Sequence, residues 1–201
     1  MRKYFIEFIG TFFLVLIVAL TGNPIAIGFG LAALVYMGGY ISGAQYNPAV
    51  TFAVWLSKKI DTKTALLYVC VQFIAAIVAA AVYHYVTSLF FIPQPGIAVP
   101  FGTALLLEVL FTFLLASVVL HTAVSEQTKG NDYYGLAIGS VVLVGAFAAG
   151  PISGGAFNPA VGVGPLLFDV THLAQYGIQS VLYIVGPLLG AGIAAVVYKG
   201  K

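Results

Sequence analysis

Long apolar runs, punctuated by glycine and proline, set the pattern of this chain. They fall at about residues 4–22, 25–41, 64–87, 101–122, 134–150 and 175–198, and each is long enough to predict a membrane-crossing helix. Thr21-Gly22-Asn23-Pro24 reads as a tight turn, Ile92–Gly96 closing at Pro100 as a longer non-helical connection, and Ser125–Asp132 as a polar one. One motif interrupts the runs twice. Ser42-Gly43-Ala44-Gln45-Tyr46-Asn47-Pro48-Ala49-Val50 returns as Ser153-Gly154-Gly155-Ala156-Phe157-Asn158-Pro159-Ala160-Val161. Asparagine directly before proline reads as a helix start, because Asn caps orphan backbone N–H groups and Pro is pre-set for the first helical position. The pattern predicts short helices over Pro48–Ser57 and Pro159–Phe168. Ten residues at about 1.5 Å each span about 15 Å, half of a bilayer core about 30 Å thick. Two half-membrane helices entering from opposite faces would meet Asn to Asn at the midplane.

Composition agrees with a bilayer as solvent. Of 201 residues, 61% are hydrophobic and 7% charged, with a mean hydropathy of +1.06; a soluble domain carries about a quarter charged residues. A net charge of +2 is too small to suggest nucleic acid. Cys70 stands alone, which rules out an intrachain disulfide, and His84, His121 and His172 have no metal-ligand spacing, so neither metal nor cofactor is implied. The histidines read as interfacial polar residues, Trp55 as packing, and the tyrosines and phenylalanines as mostly lipid-facing or interfacial. Glu7 inside the first run, and the lack of a small-x-small site before Gly22, predict a retained span rather than a signal peptide. With the N-terminus inside, Arg2, Lys3, Lys58, Lys59, Lys63, Lys129, Lys199 and Lys201 all fall on the cytoplasmic side. These are all eight basic residues, so both termini are expected to be cytoplasmic.

The halves repeat. Glu7-x-x-x-Thr11-Phe12 matches Glu108-x-x-x-Thr112-Phe113, and Ile27-Gly28 through Gly39, Ile41, Ser42 and Gly43 match Ile138-Gly139, Gly150, Ile152, Ser153 and Gly154. Ala76 and Val82-Tyr83 match Ala191 and Val197-Tyr198. Three spans per half is an odd number, so the repeats, about 1–88 and 101–198, would insert with inverted topology in a single domain covering 1–201. Inverted repeats with broken helices are a general device for moving solutes.

Both Asn-Pro-Ala copies, the two Glu-x-x-x-Thr-Phe spans and Tyr183-x-x-Gly186-Pro187-x-x-Gly190-Ala191 together resemble the aquaporin and aquaglyceroporin (major intrinsic protein) family, over essentially the whole chain. The resemblance implies an all-α membrane protein of six transmembrane helices plus two re-entrant half-helices. It also implies one pore per subunit, assembly as a homotetramer, and passive passage of water and small neutral solutes across a cell membrane. Asn47-Pro48-Ala49 and Asn158-Pro159-Ala160 would then meet in the pore, each side-chain oxygen capping its half-helix and each NH₂ free to donate to a solute. Backbone carbonyls of Gly43, Ala44 and Gln45, and of Gly154, Gly155 and Ala156, would line the two approaches. Glu7 and Glu108, the two carboxylates deep inside predicted spans, would hold those loops rather than act on substrate, since nothing nucleophilic accompanies them.

The chain departs from that family's pattern at its narrowest point. Counting from the asparagines, the selectivity filter falls on Ile27, Ala146, Gly155 and Val161, all small or apolar, with Val161 where an Arg is usual. Gln45 replaces the His common before the first motif. The filter is therefore expected to be wide and apolar, unless Tyr46 or Phe157 sets the bore. Two other classes remain open: a secondary transporter, which needs a coupling-ion site, and a junction protein with a vestigial pore.

Overall fold

The computed structural model describes residues 1–198, so Lys199 and Lys201 of the basic set lie outside the described residues. Those residues form nine α-helices and no strand: α1 Arg2–Thr21, α2 Pro24–Ser42, α3 Pro48–Leu56, α4 Thr62–Thr87, α5 Phe101–Val119, α6 Tyr134–Ser153, α7 Pro159–Phe168, α8 Leu173–Ser180 and α9 Leu182–Val197. Local chemistry explains most boundaries. Asn23 caps α2 by accepting from Ile25 and Ala26 N–H, Pro24 occupies its first position, and Asp61 caps α4 by accepting from Thr64 N–H. Gly22, at φ 54°, ends α1 in the left-handed conformation and returns its N–H to the Val18 carbonyl.

Two boundaries differ from the sequence expectation. The fourth span continues as a π-turn through Leu120–Val124, giving a predominantly apolar helix of 24 residues from Phe101 to Val124. The sixth span does not begin at residue 175. Residues Leu173–Ser180 form the separate helix α8, and the chain bends by 69° before α9. Gln175 and Gln179 lie one turn apart on the exposed side of α8, so this stretch has a polar stripe that a spanning helix would have to bury in lipid. Averaged hydropathy conceals that stripe.

The bundle packs through small residues. α1 lies on α4 and α2, α2 on α6, and α5 on α9 and α6. At the α2–α6 crossing, a Cβ on Gly139 would stand 2.3 Å from the Gly28 carbonyl oxygen. At the α5–α9 crossing, a Cβ on Gly190 would stand 2.3 Å from the Val109 carbonyl oxygen. Without a hydrophobic drive between helices in lipid, close backbone approach is what gains contact energy. The two short helices fill the interior crosswise: α3 packs most on α9, and α7 most on α4.

Gly139→Val should therefore force α2 and α6 apart and lower stability by about 1–3 kcal/mol. Gly102→Ala, where a Cβ would meet nothing within 4 Å, should leave the melting temperature in detergent unchanged. Equal melting of the two variants would refute the packing role.

Candidate functional site: a pore between two capped half-helices

Each Asn-Pro helix is preceded by a loop with the same unusual backbone. Gly43 and Gly154 leave α2 and α6 at φ 87° and 90°, Ala44 and Gly155 follow at 47° and 63°, and Tyr46 and Phe157 stand at 49° and 47°. Left-handed conformations cost non-glycine residues energy and persist only where the surroundings hold them. What holds them is a buried carboxylate in each half. Glu7 Oε1 accepts from Ser42 Oγ at 2.7 Å and Gln45 N at 2.9 Å, and its Oε2 from Tyr46 N at 2.7 Å. Glu108 Oε1 accepts from Ser153 Oγ at 2.8 Å and Ala156 N at 3.1 Å, and its Oε2 from Phe157 N at 2.7 Å. Each serine hydroxyl in turn accepts the next turn's N–H, from Ala44 at 3.0 Å and Gly155 at 3.1 Å. Tyr68 and Tyr183 donate to the carbonyls of Ser42 and Ser153 at 2.8 and 2.7 Å. Gln72 has no counterpart in the second half. Its Nε2 donates to both Glu7 Oε2 and Thr51 Oγ1 at 3.0 Å, tying α4 to the Glu7 carboxylate on α1 and to α3.

The asparagines do more than cap. Asn47 Oδ1 accepts from Ala49 N at 2.8 Å and Asn158 Oδ1 from Ala160 N at 2.9 Å. Asn47 Nδ2 also donates to the Phe157 carbonyl at 2.9 Å, and Asn158 Nδ2 to the Tyr46 carbonyl at 3.0 Å. One N–H of each amide thus stitches the two loops together. That corrects the expectation of a wholly free NH₂: one N–H per asparagine remains for a solute.

Both asparagines line a cavity of about 500 Å³. The cavity follows α6 from Ile138 to Pro151, about 20 Å at 1.5 Å per residue. Ile27, Ala146, Gly155 and Val161 all face it, as do Ala44, Gln45, Gly154 and Ala156. Gly43 does not. It is the C-cap of α2, its N–H on the Gly39 carbonyl, the place that Gly154 holds at the end of α6, but of the two only Gly154 reaches the cavity. Tyr46 and Phe157 do not line the cavity either. The Tyr46 ring packs against Gly10 and Gly38, and Phe157 against Gly145 and Phe111, so neither sets the bore. They are, with Tyr68 and Tyr183, among the largest fully buried side chains, and so depart from the expectation of lipid-facing or interfacial aromatics.

The lining residues that the sequence did not mark include apolar side chains of the spans, such as Leu14, Leu31 and Leu115, and three residues of the 88–100 connection. Phe91, Pro93 and Gln94 reach the cavity beside Gly22 and Pro24. The connection is pinned there by the Gly96 N–H on the Ile152 carbonyl at 3.0 Å. The Pro93-Gln94-Pro95 run signals a stiff loop, but nothing in it signals where the loop docks. No lining side chain is ionisable; the polar ones are four amides, Gln45, Asn47, Gln94 and Asn158. The N-termini of α3 and α7 each add about half a positive charge there. Among the described residues no cluster of His, Cys, Asp or Glu could hold a metal.

A loop pair stitched through two Asn-Pro helix starts matches a known architecture. The model of the family described as Major intrinsic protein matches residues 1–198. The chain belongs to the major intrinsic protein family. It is 39% identical to glycerol uptake facilitator protein-like 6 of Lactiplantibacillus plantarum, over 97% of this chain and 95% of that one. It is also 34% identical to aquaporin TIP2-1 of Arabidopsis thaliana, over 85% of this chain and 68% of the relative. The aquaglyceroporin structure from Plasmodium falciparum superposes with a TM-score of 0.86, at 19% identity, over 98% of this chain and 94% of that one. The major intrinsic protein fold is therefore that of this chain, an integral membrane channel and not an enzyme, passive toward water and small solutes.

Replacing either acid by its amide tests the loop-holding geometry. Gln offers one acceptor oxygen and an NH₂ that faces other donors, and orphaning a buried donor costs about 1–3 kcal/mol. Glu7→Gln and Glu108→Gln should both lower folded yield and melting temperature, Glu7→Gln more, because its carboxylate also serves Gln72. Normal folding with an altered pH profile of flux would instead make the acids a proton path.

Proposed function

We propose that this channel has a wide, apolar filter at Ile27, Ala146, Gly155 and Val161, and passes water together with small uncharged solutes such as glycerol, urea or ammonia, discriminating poorly among them. The observation that carries the reading is Val161, buried against the cavity where a charged, multiply donating side chain would narrow it. An arginine narrows, donates several hydrogen bonds and repels cations; valine does none of these. Selection then falls to the Asn47–Pro48–Ala49 and Asn158–Pro159–Ala160 pair, whose two helix starts oppose cations while presenting N–H donors to neutral solutes. Carbonyls of Ala44, Gln45, Gly154, Gly155 and Ala156 supply acceptors along the approaches, with Glu7 and Glu108 as structural supports. A glycerol uptake facilitator and aquaporins among the relatives fit passage of both kinds of molecule.

The same reading takes the chain as a single domain of two inverted repeats, about 1–88 and 101–198, in a homotetramer with a pore in each subunit. It sits in the plasma membrane with both termini cytoplasmic. A coupled transporter needs an ion site, and the two intramembrane acids already have every oxygen engaged by loop donors.

Two measurements test this. In proteoliposomes, Val161→Arg should cut glycerol and urea uptake more than water, each flux being linear in its gradient. A wild type that passes water and rejects glycerol, urea and ammonia would end the wide-filter reading, and no flux at all would end the channel reading. For orientation, Ile97 and Lys129 are both exposed. In a background with Cys70→Ala, a cysteine at 97 should label with external impermeant reagent and one at 129 only after permeabilisation. The reverse would invert the topology.

A further inference from the structure

A second cavity lies away from the pore, between α3, α4 and α9 on the outside of the bundle. It is a groove of about 320 Å³ walled by Phe52, Leu66, Phe73, Ile184 and Leu188, with only Thr51 and Thr62 as polar side chains. It opens outward past Leu66 and Ile184, which are 62% and 38% exposed. One end is closed by Pro48 and Pro159, the first residues of the two half-helices. The other ends at Trp55, whose Nε1 donates to Thr62 Oγ1 at 3.1 Å. The eight residues of α3 from Pro48 to Trp55 span about 11 Å, most of the hydrocarbon depth of one leaflet.

The outer end has a charged rim. The turn after α3 carries Lys58 and Lys59, and Lys63 follows Thr62; all three are exposed. The ion pairs among the described residues are Lys129–Glu126 and His172–Asp169, so none of the three lysines is paired. Asp61, the acid nearest in sequence, turns both oxygens to Thr64, accepting from its N–H and its hydroxyl. Those bonds, the hydroxyl first, hold the Asp61 carboxyl below the usual range. Lys3 is likewise engaged, donating to Thr64 Oγ1 at 3.0 Å.

We propose that the groove and its lysine rim form a binding site for one anionic phospholipid, with an acyl chain along α3 and the phosphate on Lys58, Lys59 and Lys63. An apolar slot reaching through most of one leaflet fits the upper part of a lipid tail, and unpaired basic residues at the interface between helices favour an anionic headgroup. A second copy of this chain fits the rim poorly. Of six carboxylates, Glu7 and Glu108 are buried, Asp61 caps α4, Glu126 and Asp169 are paired, and only Asp132 is left to face a lysine. The site is independent of the solute path.

Trp55, the single tryptophan, stands in the groove as a built-in reporter. The protein is reconstituted in phosphatidylcholine vesicles carrying rising fractions of brominated phosphatidylglycerol or brominated phosphatidylcholine, and Trp55 fluorescence is followed. Brominated phosphatidylglycerol should quench at a mole fraction about fivefold lower or more, the preference expected per lysine engaged. The combined Lys58→Gln, Lys59→Gln and Lys63→Gln variant should lose the preference, and Lys129→Gln, a lysine already paired, should keep it. Equal quenching by the two lipids in the native protein would reduce the groove to ordinary boundary lipid and overturn the site. Quenching by neither would mean that protein covers the groove, and would overturn it as well.

Discussion

Non-helical backbone inside a membrane must find its hydrogen bonds within the protein or in a water-filled cavity, and this structure is organised around meeting that demand twice. Two loops leave α2 and α6 through left-handed turns and cannot use the ladder of any helix. A neutral acceptor would serve too few of their N–H groups. A carboxylate offers two oxygens and about four lone pairs, and Glu7 and Glu108 use them on matching donors in the two loops. The serines that end α2 and α6, the tyrosines that hold their carbonyls, and the asparagines that stitch one loop to the other all extend the same solution. The cost of burying the acids is offset only while the loops keep their shape, so acid and loop stabilise each other.

The crosswise packing follows from this. A half-helix that starts at the centre must be held along its length by something other than the loop that feeds it. α3 packs on α9, and α7 on α4 and α9, where a Cβ on Gly164 would stand 2.3 Å from Ala76 of α4 and one on Gly162 2.3 Å from Tyr183 of α9. Small residues let the short helices approach their supports, and the asparagine stitches close the remaining gap between the loops. The two halves are therefore bound together at their centres as well as along α2–α6.

Most of this architecture was legible in the sequence because its signals are local. Asn-Pro marks a helix start wherever it stands, and α7 begins and ends where its pattern predicts, while α3 stops one residue short. Glu in an apolar run announces a partner, although the run does not say which. The four positions expected to form the filter could be counted from the motif, and all four reach the cavity. What was not legible depends on distance or on averaging. The cross-loop bonds from Asn47 and Asn158 join residues more than a hundred positions apart, with no local mark. Gln94 sits in a proline-rich connection whose docking site is set by Gly96 meeting the α6 end. The α8–α9 bend is lost in a hydropathy average that counts Gln175 and Gln179 against their apolar neighbours.

The lining of the pore also decides where selectivity can reside. Four amides and no titratable side chain line the cavity, so its own lining carries no charge that changes with pH. Amides both donate and accept, which suits water, hydroxyls and ureas alike and separates them little. Gln45 and Gln94 each keep one enclosed amide atom without a partner, Oε1 and Nε2 respectively, so these two side chains are less firmly fixed than the asparagines. With valine at position 161, the positive field opposing cations comes from the starts of α3 and α7, and such fields fade within a turn of helix. On the proposed function, ion exclusion is then confined to the asparagine pair, the point that Glu7 and Glu108 hold in place through the loops. A displacement of either loop would open the stitch and move the helix starts together, so in this channel the structural centre and the electrostatic barrier are one feature.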